Sequence, residues 1–354
     1  MLATLGLLAN TDPATASTFD EATELAVRHF QQRRGISVDG RVGPDTFAAL
    51  TGAHWKLGDR VLSHEPARLL IGDDVADLQS QLIELGYPLA RDDGVFEATT
   101  AEALRSFQRE YGLVPDSICG PGTLLALKQL ARRVVGGRPQ MLREMATVAA
   151  SGPSLLGKRI VLDPGHGGAD RGVEVDGVAE ADLMWELASR IEGRLVALGV
   201  RTLQTRGPNV GKTDEERALF ANEVGADLVV SLHVDGAPSA RANGVATYHY
   251  GTDKSSSIVG ERLAGLAQRE LVARTGLTDN RVHPKAWTML RLTRMPIVRV
   301  ELGYLTSPRD RAMLLDPRFQ ATVAESLLVS IQRLYLPTAE DPPTGVMRIP
   351  SHAG

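Results

Sequence analysis

The chain has 354 residues, 43% of them hydrophobic, and a formal charge of −4, enough for one large core plus one or two small domains. The slight negative charge and 5% aromatic content supply no basic field for nucleic acid or an anionic membrane, and suit a neutral polymer or small polar substrate. A single cysteine, Cys119, excludes an intrachain disulfide framework and a multi-cysteine metal site, and reads as a small buried apolar side chain.

No stretch is apolar for long enough to span a bilayer, and the first residues lack the basic flank, apolar core and cleavage site of a signal peptide. The N-terminal third repeats itself. Phe19 to Leu50 lies on Phe96 to Leu127 without a gap: Phe30-Gln31 on Phe107-Gln108, Gly35 on Gly112, Asp39 on Asp116, Gly43-Pro44 on Gly120-Pro121, and Thr46 on Thr123. In each copy a helix ends at a glycine, and a turn with Asp and Gly-Pro opens a short helix with Pro just inside its start. Leu78, Leu82 and Leu85-Gly86 give the second copy a first helix, whereas Leu5-Gly6 falls almost at Met1. The expectation is two small all-α three-helix modules, residues 1–52 (N-terminally truncated) and 66–131. The natural start is expected upstream, where an export signal could lie.

Residues 132–157, with Gly136-Gly137-Arg138-Pro139 and Ser151-Gly152-Pro153-Ser154 around a short helical pattern, read as a linker. From 158 to 336 apolar strands alternate with amphipathic helices. Strands are expected at Arg159 to Asp163, Val200 to Gln204, Leu228 to Leu232, Val245 to Tyr250 and Ile297 to Glu301. Helices are expected from Glu180 to Leu198, after a Thr213/Glu216 capping box, from Ser255 to about Thr275, and through Phe319, Val323, Leu327 and Ile331. This alternation predicts an α/β domain with a mostly parallel central sheet and helices on both faces. Residues 337–354, rich in Pro, Gly and acidic side chains, read as a flexible tail. Thr344 there offers a hydroxyl to a kinase; phosphopeptide mapping decides between that and an idle tail threonine.

The chemistry concentrates at strand ends, where an open parallel sheet gathers its functional groups. His166 follows the first strand in Asp163-Pro164-Gly165-His166-Gly167-Gly168, His233 ends the strand Leu228 to Leu232, and Glu301 ends the strand from Ile297. Glu180 stands in the first turn of the helix after the loop Gly167 to Ala179. Two neutral imidazoles and a carboxylate suit one Zn²⁺ with a fourth position for water, and a second carboxylate can act as general base. Singly, each has a structural explanation; together they read as a zinc hydrolase. Asp163 and Asp235 flank the histidines and fit support of an imidazole better than direct ligation. His249 alternates with Tyr248 and Tyr250 on a strand, so a sheet-face position is expected, and His283, in a Pro-containing loop, is expected to line the cleft.

These motifs resemble the zinc-dependent N-acetylmuramoyl-L-alanine amidases of the third amidase family, joined by Asp182-Leu183, Arg217 with Ala221-Asn222, Ala226-Asp227, Leu290-Arg291 and Val300-Glu301-Leu302-Gly303-Tyr304. The resemblance covers about Lys158 to Leu336 and implies zinc on His166, Glu180 and His233, with Glu301 as catalytic acid/base. It implies hydrolysis of the amide between the lactyl group of N-acetylmuramic acid and L-alanine, with Asn222, Asp235, His283 and Arg291 as substrate contacts. The repeats are similar to three-helix peptidoglycan-binding modules, with Ser117 where the first copy has Gly40. Two such modules before an amidase domain resemble the CwlM group of actinobacterial envelope proteins, some of which look like regulators of precursor synthesis without all the zinc residues. Here all four positions are intact. The implied partner is peptidoglycan or muropeptides, with a regulatory protein partner left open. The implied place is the cell wall if an export signal exists, and the cytoplasm otherwise; the alternative to catalysis is a muropeptide-binding regulator. Some related amidases block the cleft with an extra helix before the catalytic glutamate. Gly251 to Pro296 reads as one strand end, one long helix and one loop, so an open site is expected.

Overall fold

A computed structural model describes residues 1–8, 18–67, 69–131, 139–252, 255–337 and 340–348. Two compact units emerge: Met1–Arg143 with Thr252–Ser255, and Glu144–Gly251 with Ser256–Gly354.

The first unit holds helices α1 (Glu21–Arg34), α2 (Pro44–Gly52), α3 (Asp73–Glu84), α4 (Ala98–Glu110) and α5 (Pro121–Ala131). Asp20 caps α1 through Thr23 N, and Gly35 closes it in the left-handed region at φ 65°. Each module is organised by a buried glutamine amide. Gln31 donates to Asp39 and Thr46 and accepts from Gly40 N. Gln108 does the same with Asp116, Thr123 and Ser117 N. A third set, Gln79 with Asp93, Thr100 and Gly94 N, shows that the second module is itself an internal repeat. A buried amide left unpaired is costly, so this network fixes each turn.

Ser117 keeps the turn that Gly40 makes: it sits at φ 62° and its hydroxyl accepts from Arg105. Cys119 is buried, its main chain paired with Leu62, and burial pushes its thiol up to about 11.

The second unit begins within α6 (Pro139–Ala150), at Glu144, and contains β1 (Arg159–Pro164), β2 (Glu174–Val175), β3 (Val178–Ala179), α7 (Glu180–Ala197), β4 (Arg201–Gln204), α8 (Asp214–Glu223), β5 (Leu228–Asp235), β6 (Val245–Tyr250), α9 (Ile258–Thr275), β7 (Asp279–Lys285), α10 (Thr288–Leu292), β8 (Ile297–Tyr304), α11 (Pro308–Leu314) and α12 (Pro317–Tyr335). The six-stranded sheet runs β4-β1-β5-β8-β6-β7, parallel throughout except where β6 meets β8. One face is buried by Leu183, Leu187 and Ile191 of α7, Leu263 and Leu271 of α9, and Val323 and Leu327 of α12. The other is covered by Ala218 and Ala221 of α8 with Met289 and Leu290 of α10. The expected α/β sheet with helices on both faces is therefore present.

Four expectations need correction. The segment before β8 is not a plain loop: it holds β7, which carries His283, and the five-residue α10, packed on α8. β7 was illegible because an edge strand can carry a proline and polar residues, here Asp279-Asn280-Arg281 and Pro284. Gly167 to Ala179 contains the β2–β3 hairpin, turned at Asp176-Gly177 with φ of 51° and 79°. The second half of the expected linker joins the second unit through α6, where Glu144 accepts from Ser257 Oγ and Val259 N at the start of α9. Its residues 132–138 lie outside the described residues.

The tail expected to be flexible is docked over residues 340–348. Glu270 is fully buried, and its carboxylate receives Arg274, Arg333 and Gly345 N, while Arg333 also bonds Asp341 and Thr344. A buried carboxylate demands such donors, and the tail completes them. Residues 338–339 and 349–354 are outside the described set. Among the described residues no helix is long and apolar enough to cross a membrane.

Candidate metal centre

β1, β5 and β8 deliver their ends to one edge of the sheet, and α7 begins beside it. His166 leaves β1 through Pro164-Gly165 at φ 56°, a strained value for a non-glycine residue. Two buried arginines hold this turn from below. Arg217 donates to Pro164 O and His166 O; Arg206 donates to Pro164 O, Gly165 O and Ala181 O. Glycines leave room: a Cβ on Gly165 would strike the His233 ring, and one on Gly172 would strike His166 and Glu180.

His166, Glu180 and His233 each place a ligating atom within 4.8 Å of the others. Glu180 Oε2 is 3.3 Å from His166 Nε2, and Oε1 is 3.0 Å from His233 Nδ1. Val173 N and Val234 N also donate to this carboxylate, which fixes it in the fold. Asp170 Oδ2 lies 2.8 Å from His166 Nδ1, so the imidazole is anchored on one nitrogen and presents the other to the cluster. Burial opposes the charged form of Glu180, but the two imidazoles and the amide donors outweigh it and hold its carboxyl below the usual range. His166 is the exposed end of the set, at 29% side-chain exposure against 1% for Glu180 and 7% for His233. Two imidazoles and a buried carboxylate converging on one point are a donor set that fits a divalent zinc-like ion.

Glu301 is the register partner of His233 across β5 and β8, on the same face. Asp163, expected beside the histidines, supports rather than joins the cluster. It accepts from Thr205 Oγ1, Ser231 Oγ and Arg217 Nη1. Burial would raise its pKa, but the Arg217 guanidinium and the two hydroxyls hold it below the carboxylate range. Asp235 ends β5 opposite Tyr304, and burial together with the charge of Glu301 pushes its carboxyl up.

The remaining expected residues are not members of the ligand cluster. His283 lies on β7, in register with Tyr248, its Nε2 2.7 Å from Asn280 O and its ring 5.6 Å from that of Tyr248. Asn222 spans Leu292 O and Arg294 N with its amide, so it holds the end of α10, the helix that carries Arg291. His249 points to the opposite face, buried, with Nδ1 3.0 Å from Tyr250 O.

Sequence reasoning missed Asp170, Arg206 and Arg299. Asp170 stands four residues after His166, close enough to have been a candidate. Arg206 carries no motif; its role comes from the loop after β4 passing under the His166 turn. Arg299 pairs with Glu301, two residues along the same strand.

A family model described as N-acetylmuramoyl-L-alanine amidase matches residues 160–333, and one described as a putative peptidoglycan binding domain matches 1–50 and 71–127. The chain is 50% identical over 332 residues to the N-acetylmuramoyl-L-alanine amidase CwlM of Mycobacterium tuberculosis, covering 92% of this chain and 82% of that protein. It is 27% identical over 194 residues to the N-acetylmuramoyl-L-alanine amidase LytC of Bacillus subtilis, covering 55% of this chain but only 38% of that protein. A crystal structure of an N-acetylmuramoyl-L-alanine amidase from Clostridium difficile 630 matches 49% of this chain and 95% of its own, with 25% identity and a TM-score of 0.47.

Proposed function

Because this chain belongs to the N-acetylmuramoyl-L-alanine amidase family, we propose that it is a peptidoglycan hydrolase that cleaves the amide between the lactyl group of N-acetylmuramic acid and L-alanine of the stem peptide. The observation that carries this reading is the convergence of His166, Glu180 and His233 on one point, with Glu301 in register beside His233. The two peptidoglycan-binding modules would hold the enzyme on its polymer and raise the effective substrate concentration. On such a substrate its proposed place of action is the cell wall, as an autolysin, given an export signal, with the cytoplasm as the alternative.

His166, Glu180 and His233 would hold one zinc ion. Zinc, when bound, supplies a Lewis acid for the scissile carbonyl and lowers the pKa of a water. The rest is the work of the chain. Asp170 fixes the His166 ring through Nδ1, and Val173 N and Val234 N fix Glu180. Glu301 takes the proton of the attacking water and passes it to the leaving amine. Asp235, His283 and Arg291 are the proposed substrate contacts, with Asn222 holding the helix of Arg291 in place.

Mass spectrometry of products from purified muropeptides, with zinc-loaded and chelated protein side by side, tests this. Release of the intact stem peptide with a free L-alanine amine, lost on chelation, is expected. Intact muropeptide after incubation with zinc-bound protein would sink the amidase reading.

A further inference from the structure

We propose that Arg299 is the positioning residue of Glu301: its guanidinium pins the carboxylate of the acid/base, and Trp287 in turn holds the guanidinium. This deepens the amidase reading above and rests on it. Arg299 and Glu301 are two apart on β8, so both side chains leave the strand on the same face. Nε and Nη2 of Arg299 lie 2.9 and 2.8 Å from Glu301 Oε1. Both contacts fall on one oxygen. Oε2 has no protein partner among the described residues, which leaves it to take and release a proton.

The arginine is itself restrained. Its Cζ lies 4.7 Å from the ring centroid of Trp287, and that ring lies 4.7 Å from the ring of Tyr248, the register partner of Arg299 on β6. A guanidinium stacked on an indole keeps its planar fork in one orientation. Exposed ion pairs wander and contribute little, but here the side chains are only 21% and 10% exposed. Burial works against the charge of Arg299, yet Glu301 keeps the guanidinium firmly protonated. Among the described residues Arg299 is the one cation in an ion pair with Glu301. A base acts only when its free oxygen is within reach of the proton, so a restraint on the other oxygen sets the rate without touching substrate.

The test compares Arg299→Met and Arg299→Lys with wild type in steady-state kinetics on a defined muropeptide, with zinc content and thermal midpoint measured on each protein. For Arg299→Met, kcat should fall about 30-fold or more while KM stays within about twofold, a loss of the size that misplaced groups cause. Zinc content and midpoint should match wild type. Arg299→Lys, which keeps the charge without the planar fork, should recover part of the loss. Crystals of zinc-loaded Arg299→Met should show Glu301 in more than one rotamer, against one in wild type, a readout that needs no turnover. Wild-type kcat in Arg299→Met, a rise in KM with kcat unchanged, or loss of zinc would each overturn the proposal. A wild-type protein that turns nothing over sinks the amidase reading, and the rotamer comparison then decides Arg299 alone.

Discussion

Asp163 and Arg217 meet 2.8 Å apart beneath the turn that carries His166, with side chains 2% and 3% exposed. The same guanidinium donates to His166 O, so the ion pair ties the sheet to the ligand loop. Removing one partner of such a pair leaves a buried charge uncompensated, at a cost of about 3–5 kcal/mol. Arg217→Met should therefore lower the urea midpoint of the second unit and weaken zinc binding in a competition titration. The double variant with Asp163→Asn should regain part of the stability. A wild-type midpoint in Arg217→Met would show that the pair is not holding the loop.

Glu301→Gln should keep the fold and the metal and abolish turnover, because the amide cannot accept the water proton. Zinc content and circular dichroism should match wild type while product release disappears. Equal rates for variant and wild type would remove Glu301 from the mechanism.

The cluster of His166, Glu180 and His233 brings a carboxylate against two imidazoles, so an ion bound there stabilises the folded state by mass action. At zinc concentrations about 100 times Kd the gain is about 2.7 kcal/mol, seen as a raised melting temperature. His233→Ala should remove that zinc-dependent rise, and a chelator should reverse it in wild type. A rise that persists in His233→Ala would place the ion elsewhere.

The residues that carry chemistry were legible because strand ends are legible. A run such as Leu228 to Leu232 ending in His233 shows both its type and its direction, and parallel strands put such ends on one edge. The Thr213/Glu216 capping box, a purely local signal, is present as expected. What stayed hidden depends on contacts between distant segments. Arg206 acts through carbonyls of a turn some 40 residues away in sequence, and Arg217, itself named in the motif, takes its role from the same turn some 50 residues away. β7 has no apolar alternation because it is an edge strand. The third buried glutamine escaped notice because Gln79 is 14 residues from Asp93, whereas Gln31 and Gln108 are each 8 from their aspartates. The docked tail follows from Glu270, whose burial no local pattern announces.

Ser117 occupies a left-handed position that Gly40 fills in the first module, at φ 62° and 74° respectively. A non-glycine residue there costs roughly 1–2 kcal/mol of backbone strain, offset in part by the hydrogen bond from Arg105. Ser117→Gly should change the stability of the first unit by less than about 1 kcal/mol, since relief of strain opposes loss of that bond. Ser117→Ala, which loses the bond and keeps the strain, should be the less stable of the two. Urea unfolding followed by fluorescence of Trp55 reads both, and the opposite order would show that the turn imposes no net strain on a non-glycine residue.

His249 ties stability to pH near neutrality. Burial disfavours its imidazolium and lowers its pKa from the ordinary 6.5, despite the partial support of Tyr250 O. A base whose folded pKa lies below its unfolded value binds its proton more readily in the unfolded chain. Its contribution to stability is therefore complete above about pH 6.5 and is lost as the pH falls through the folded value. Asp163, also held below its ordinary pKa, adds a second loss only further down, below about pH 4. The stability of the second unit should thus decline as pH falls from 7 toward 5, with a slope from this one group of at most about 1.4 kcal/mol per pH unit. His249→Leu removes the titrating group and should flatten that decline, while the acid loss due to Asp163 persists. Urea midpoints for the two proteins at pH 8, 7, 6 and 5, taken with the metal chelated so that ligand protonation does not intrude, make the comparison. Parallel curves for wild type and variant would mean that His249 is free to take up its proton without opening the fold.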